Sequence, residues 1–152
     1  MAFKIKSWVT INPNEAEQIA KLLSDNEWNR PGKPYSEQEL LDDPEGYFLA
    51  LEQNKIVGVA RLKKVQWYQW ELFSISVHSN FQRQGTAQSV VRAVEDYVHN
   101  QKGPLIQATV DPKNSASENL FNKLGWAPGI KFIHPAYKKP MRVWQKVINI
   151  LE

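Results

Sequence analysis

The apolar positions of this chain change period several times, and each change marks an element. Near the start, Phe3, Ile5 and Val9 lie on alternate positions with Lys4 and Lys6 between two of them, the period of a strand that buries one face. A helix follows. Asn12 suits its cap, Pro13 its first turn and Glu15 the reciprocal capping position, while Ala16, Ile19, Ala20 and Leu23 form its buried stripe. Residues 24–44 are weaker in pattern and rich in Asn, Pro and acidic side chains, with one short helical stretch around 36–41, a candidate substrate-facing loop. Residues 47–51 and 56–62 are β-prone runs around Glu52-Gln53-Asn54-Lys55 and predict an antiparallel hairpin. Residues 72–77 predict a third strand of this meander, preceded by Trp67-Tyr68-Gln69-Trp70, whose aromatics suit a strand or its edge.

After Gly85 the period becomes helical, with Val90, Val91, Val94, Tyr97 and Val98 on one face and a close near residues 100–103. Residues 105–110 predict a short strand broken by Asp111-Pro112, and 115–124 a helix ended by Gly125. Residues 126–150 predict two strands joined by the turn-prone segment from Pro135 to Pro140. The order is β-α-α-β-β-β-α-β-α-β-β, with no internal repeat or linker, and 152 residues suit one domain spanning 1–152.

Composition narrows the class. Hydrophobic residues at 42% and charged residues at 23% fit a soluble globular chain, and no apolar run is long enough to span a bilayer. The first six residues alternate lysine with apolar side chains and lack the apolar block of a secretory signal. Without cysteine there is no disulfide framework, thiolate zinc site or cysteine nucleophile, which fits a reducing cytoplasm. The net charge of +3 hides an asymmetry, with acidic residues crowding the first half and basic ones the second. An anionic partner on the second half is either nucleic acid or a compact polyphosphate cofactor, and charge alone does not choose. The pI of about 9.1 favours nucleic acid, but the long helix sets only Arg92 against Glu95 and Asp96, and no zinc-finger or RNP motif is present, so neither nucleic acid nor membrane is the expected partner.

The stretch Val77-His-Ser-Asn-Phe-Gln82-Arg-Gln-Gly85-Thr-Ala87 runs from a strand end into the first turn of the long helix. The first amides of a helix lack internal partners and carry the positive end of its dipole, so a phosphate there meets groups already in place. Gly85 keeps side-chain bulk out of the way and Arg83 adds a fixed charge. A glycine at a helix start also serves structure alone, and the motif by itself does not decide. No HExxH-type spacing and no Gly-x-Ser-x-Gly elbow occurs, so no metal is expected.

Gln82-x-x-Gly85-x-Ala87 resembles the Gln/Arg-x-x-Gly-x-Gly/Ala signature with which the GNAT superfamily of N-acetyltransferases holds the pyrophosphate of acetyl-CoA. Residues 114–126, from Asn114 through Phe121 and Lys123 to Gly125 and Trp126, are similar to that family's Asn-x-x-Ala/Ser-x-x-x-Tyr-x-Lys-x-Gly-Phe helix. The resemblance implies an α/β (α+β) fold, a mixed, mainly antiparallel central sheet of about seven strands flanked by about four helices. It also implies that coenzyme A lies where the strand ending at Val77 splays from the next. Ile75, Ser76 and Val77 would pair with the pantetheine arm, while Gln82, Arg83, Gln84, Gly85, Thr86 and Ala87 would take the pyrophosphate. Asn114 would anchor the pantetheine or the helix beside it. Glu71, eleven positions before Gln82, stands where many members carry a glutamate that deprotonates the amine, although a glutamate at a strand start is ordinarily a solvated side chain.

Phe121, among the cofactor-binding positions, replaces the tyrosine that usually protonates the leaving thiolate; it also reads as core beside Leu120 and Leu124. Tyr137 and His134 are substitute donors without positional support. The expected activity is transfer of an acetyl group from acetyl-CoA to a primary amine, on a small molecule or a peptide, by direct attack in a ternary complex. Glu27, Trp28, Tyr35, Asp42 and Asp43 suit a cationic acceptor. The alternatives are a CoA-binding regulatory domain without catalysis, which Phe121 favours, and the nucleic-acid-binding module. Trp67, Tyr68 and Trp70 could form a subunit contact, and family members commonly dimerise.

Overall fold

Local hydrogen bonds set the first helices. In the computed structural model, which describes residues 3–30 and 33–150, strand β1 (Lys4–Val9) leads into helix α1 (Pro13–Asp25). Asn12 Oδ1 accepts the Glu15 N–H at 2.8 Å while Glu15 Oε1 accepts the Asn12 N–H at 3.0 Å, the reciprocal cap that the sequence predicts. Ser36 and Glu39 repeat it at the start of α2 (Glu37–Leu41). Then β2 (Tyr47–Glu52) turns into β3 (Lys55–Gln66) through Gln53 and Asn54, with φ of 49° and 66°, the left-handed pair that matches the twist of a tight hairpin. The chain continues through β4 (Gln69–Val77), a 3-10 turn at Ser79–Phe81, α3 (Thr86–Asn100), β5 (Leu105–Val110), α4 (Ser115–Lys123), β6 (Ala127–Ile133) and β7 (Pro140–Val147).

The seven strands form one sheet in the order β1-β2-β3-β4-β5-β7-β6, antiparallel except between β4 and β5. With four α-helices among the described residues this is the mixed, mainly antiparallel architecture expected from the sequence. Val90, Val91, Val94 and Val98 of α3 bury one face of the sheet with Phe48, Leu62, Leu72 and Ile106, and Ile19 and Leu23 of α1 bury the other with Tyr47, Leu49 and Val59. Glu95 of α3 is buried and accepts hydrogen bonds from Trp126 Nε1 at 2.8 Å and Lys146 Nζ at 3.0 Å, tying the helix to the last strands.

Three expectations need correction. The strand β1 does not bury Phe3, Ile5 and Val9 together: its register slips between Lys6 and Val9, Trp8 takes φ 51°, and Val9 packs on the α1 side while Phe3, Ile5 and Trp8 pack on the α3 side. Trp8 gains by this a stacked contact with Tyr97, at 4.9 Å and 5°. The strand β3 runs to Gln66 rather than ending at residue 62, because Lys63 and Lys64 pair with Glu71 and Trp70 of β4 although their side chains are exposed. Trp67 and Tyr68 then form the turn, with Trp67 70% exposed, and only Gln69 and Trp70 of that aromatic run belong to β4.

Phe121 is 1% exposed, its ring 4.7 Å from Trp126 and 6.2 Å from Trp144. Replacing it with alanine empties a large core site. Phe121→Ala is expected to cost about 3–5 kcal/mol of stability by denaturant unfolding, and a cost below about 1 kcal/mol would contradict this packing.

Candidate active site

A bulge in β4 opens the sheet. Arg61 pairs with Phe73 and Val59 with Ser76, so β4 carries one residue more than β3 between these pairs, and Ser74 takes φ 57°. Such an insertion bends and twists its strand. Pairing of β4 with β5 accordingly extends from Gln69↔Leu105 only to Leu72↔Ala108, while β4 continues to Val77 against β3 and β5 to Val110 against β7. Between the diverging strands lies a backbone edge without a strand partner.

Alternation along β4 decides which groups face that opening. The His78 N–H donates to Val57 O of β3 at 2.8 Å, so the backbone groups of Val77 and Ile75 turn the other way. Val77 O accepts from Gln82 Nε2 at 3.3 Å, and Ile75 O from Asn26 Nδ2 at 3.4 Å. Ser76 is placed differently from its neighbours. Its backbone faces β3, and its buried hydroxyl accepts from Asn26 Nδ2 at 2.9 Å and Asn29 Nδ2 at 2.8 Å.

Beyond Val77 the chain enters α3 through two left-handed residues, Arg83 at φ 64° and Gly85 at φ 80°. The first amide of this helix with an acceptor is Ser89, bonded to Gly85 O at 2.9 Å, which leaves the N–H groups of residues 82–88 without a protein acceptor among the described residues. Nothing lies within 4 Å of where a Cβ on Gly85 would stand, so the backbone at this turn is open to an approaching group. Arg83 and Gln84 are exposed beside it. Thr86 is buried, its hydroxyl donating to Phe81 O at 3.2 Å and its methyl pressed onto Gly58, where a Cβ would come within 2.9 Å. A glycine at 58 therefore lets the start of α3, and Ala87 with it, sit down on the sheet.

Asn114 caps α4, accepting the Ser117 N–H at 3.2 Å. Phe121 lies in the core instead of on an open surface: the α4 stripe turns it between Trp126 and Trp144. Of the substitute donors, His134 stacks on Tyr137 at 4.2 Å and its Nδ1 accepts the N–H groups of Ala136 and Tyr137. Tyr137 lies near Tyr35 and Arg30, and its phenol adds to the burial that pushes the Tyr35 phenol up.

Glu71 is half-buried on the face opposite Trp70 and Leu72. Burial pushes its carboxyl up to about 7, against a pull downward from the amides of Gln69 and Gln107, each 3.5 Å from Oε1. Nothing in the sequence near Glu71 signals Gln107, because it comes from β5, and Asn26 and Asn29 lie in a stretch without periodicity.

A cleft of about 270 Å³ lies between the end of α1 and the segment before α2, walled by Asn26, Glu27, Asn29, Arg30 and Tyr35. Arg30 lies 3.9 Å over the Tyr35 ring and grips Glu39 through two bonds of 2.7 and 2.8 Å, which pull that carboxyl down to about 2. Asp43 is bridged to Arg61 at 2.8 Å and Lys63 at 3.3 Å, and Asp42 accepts the Gln38 amide. Two of the carboxylates expected to attract a cationic acceptor are thus engaged within the protein. A larger hollow of about 510 Å³ between β1 and α3 contains none of these groups. Among the described residues no cluster of His, Asp or Glu could hold a metal, and no helix is long and apolar enough to cross a membrane.

Comparison with known proteins accords with this geometry. Residues 13–126 match the family model of the acetyltransferase (GNAT) family. No curated protein matches the chain significantly in sequence. Similar solved structures include the ribosomal-protein-S18-alanine N-acetyltransferase from Escherichia coli, with a TM-score of 0.80 and 16% identity over 99% of this chain and 97% of that one. A second is yncA, a putative acetyltransferase from Salmonella typhimurium with its cofactor acetyl-CoA, with a TM-score of 0.83 and 12% identity over 100% and 97%. A third is the NatC complex bound to Gag peptide and CoA, with a TM-score of 0.80 and 18% identity over 97% and 99%. At such identities the likeness establishes the fold, and the family model, covering most of the chain, establishes the lineage: the chain belongs to the acetyltransferase (GNAT) family.

Proposed function

We propose that the protein is an N-acetyltransferase that moves an acetyl group from acetyl-CoA to a primary amine, on a small molecule or a peptide, by direct attack within a ternary complex. The observation that carries this reading is the continuity of an unpaired strand edge with a run of free amides. Ile75 and Val77 offer backbone groups to an extended amide-bearing arm, and residues 82–88 offer N–H donors, with Arg83 beside them, to a pyrophosphate. The open side of Gly85 leaves room for phosphate oxygens. Bound acetyl-CoA would supply a thioester-activated acetyl group. Asn114 supports the site through the cap it gives α4.

Glu71 is the base in this reading. An amine is protonated at neutral pH, and a carboxyl held at about 7 is matched to take its proton near that pH. The Val77 N–H, turned to the opening, is placed to meet negative charge developing on a carbonyl oxygen. No hydroxyl stands at Phe121, and an alkyl thiolate with a pKa near about 8.5 leaves without a dedicated acid. On the acceptor side, Glu27 is the carboxylate left facing the cleft without an ion-pair partner among the described residues. A second reading, a CoA-binding domain without chemistry, draws on the buried Phe121.

Saturating acetyl-CoA is expected to raise the melting temperature, by an amount corresponding to about 2.7 kcal/mol at a hundredfold excess over Kd. Gly85→Glu should abolish this rise, since it would bring bulk and a like charge to the turn that leads into those amides. Gly85→Ala, sharing the strain of φ 80° at a cost of about 1–2 kcal/mol, should keep much of it. An unmoved wild-type melting temperature would sink the reading.

Glu71→Gln is expected to lower kcat by about 10²–10³-fold with acetyl-CoA stabilisation intact, and wild-type kcat/KM should fall as pH drops below about 7. Full turnover by Glu71→Gln would remove the base, and binding without transfer to any amine would favour the second reading.

The same carboxyl gives a stability test. Its folded value of about 7 lies above the ordinary 4.5, so the wild type loses stability as pH rises between these values. Glu71→Gln should therefore gain stability relative to wild type across that window in denaturant titrations, with a constant difference below and above it.

A further inference from the structure

Glu71 belongs to a row of side chains that crosses three strands. Gln69 lies two residues before it on β4, Gln107 is its register partner on β5, and Gln145 is the partner of Gln107 on β7. Trp70, Leu72, Ile106, Ala108 and Trp144 occupy the α3 side, so alternation puts all four members of the row on the opposite face. Gln145 Nε2 donates to Gln107 Oε1 at 2.8 Å, and Gln107 Nε2 faces Glu71 Oε1 at 3.5 Å, as does Gln69 Nε2. A carboxamide has one accepting end and one donating end. With Gln145 on the oxygen of Gln107, the end presented to Glu71 is the donor. Both contacts fall on Oε1 of Glu71, and Oε2 has no hydrogen-bond partner among the described residues.

We propose that Gln107, held in orientation by Gln145, is a positioning residue that fixes the Glu71 carboxylate with Oε1 engaged and Oε2 free to take the proton of the incoming amine. This rests on the reading of Glu71 as the base. Amides suit the task because they donate to the ionised carboxylate without adding a charge or a competing base. By favouring the ionised form they oppose the burial that disfavours it, which keeps the base usable near neutrality.

The charged groups around Glu71 are otherwise occupied. Lys63, its partner across β3, bridges Asp43, and Arg61 bridges Asp43 while lying over Tyr47 and Phe73. On this face β5 presents Leu105, Gln107 and Thr109, and β7 presents Met141, Val143, Gln145 and Val147, none of them charged.

The test needs no known acceptor. The Glu71 carboxyl carbon is followed by ¹³C NMR through its titration in wild type, Gln107→Leu and Gln145→Leu, with Glu71→Gln assigning the signal. The midpoint is expected to rise by at least about half a unit in Gln107→Leu and by less, in the same direction, in Gln145→Leu, with acetyl-CoA stabilisation retained in both. A midpoint that stays in place or falls in Gln107→Leu overturns the proposal. Should that variant not fold, Gln145→Leu decides, because its side chain is exposed and contributes little to packing. A midpoint that moves as expected in a protein that acetyl-CoA does not stabilise keeps the positioning row and rejects the transferase reading. Stabilisation with an unmoved midpoint does the reverse.

Discussion

Beyond Leu72, β4 keeps its hydrogen bonds to β3 but loses those to β5, because the extra residue around Ser74 bends the strand away from its parallel neighbour. Backbone groups that lose a strand partner must find others: the carbonyls of Val77 and Ile75 accept from Gln82 and Asn26, and the edge they lie on borders an opening where a ligand can bond. The packing on both sides maintains the geometry. Leu72 and Ile106 are fixed under α3 just before the divergence, and Gly58 lets Thr86 hold the start of that helix close to the sheet. The strand edge and the free amides of α3 are therefore parts of one arrangement, and displacing either would misalign the other.

Electrostatics sorts the carboxylates into two kinds. Glu39, Asp43, Glu95, Asp111 and Glu118 are each bridged to arginine or lysine, and their task is to hold segments together. Burial pushes Asp111 up, but Lys139 and the Lys113 N–H outweigh it and hold the group low. Glu71 is half-buried with carboxamides for company, so desolvation prevails and its proton affinity rises. Much of the basic charge of the second half is likewise engaged internally, since Lys139, Arg142 and Lys146 meet Asp111, Glu118 and Glu95. Arg83 has no such partner among the described residues and stands beside the open amides.

Several features were legible in the chain itself because their signals are short-ranged. The cap at Asn12, the turn at Gln53 and Asn54, the long stripe of α3, the stop at Gly125 and the bounds of β5 each depend on side chains a few residues apart. The spacing from Gln82 to Gly85 belongs with them, since a helix start and its glycine are local objects. Tertiary structure decided what depends on pairing between distant segments. The slip at Trp8 and the bulge at Ser74 arise from register between strands, and the polar end of β3 is a strand only because β4 pairs with it. Phe121 became core through Trp126 and Trp144, and Asp43 was neutralised by Arg61 and Lys63 from β3. Gln107 reaches Glu71, and Gln145 reaches Gln107, from two further strands through the sheet order alone. Where no bulge or slip intervenes, periodicity fixes which face of its own element a side chain occupies, whereas the groups facing it, and hence its charge state, depend on contacts that form only when the chain has folded.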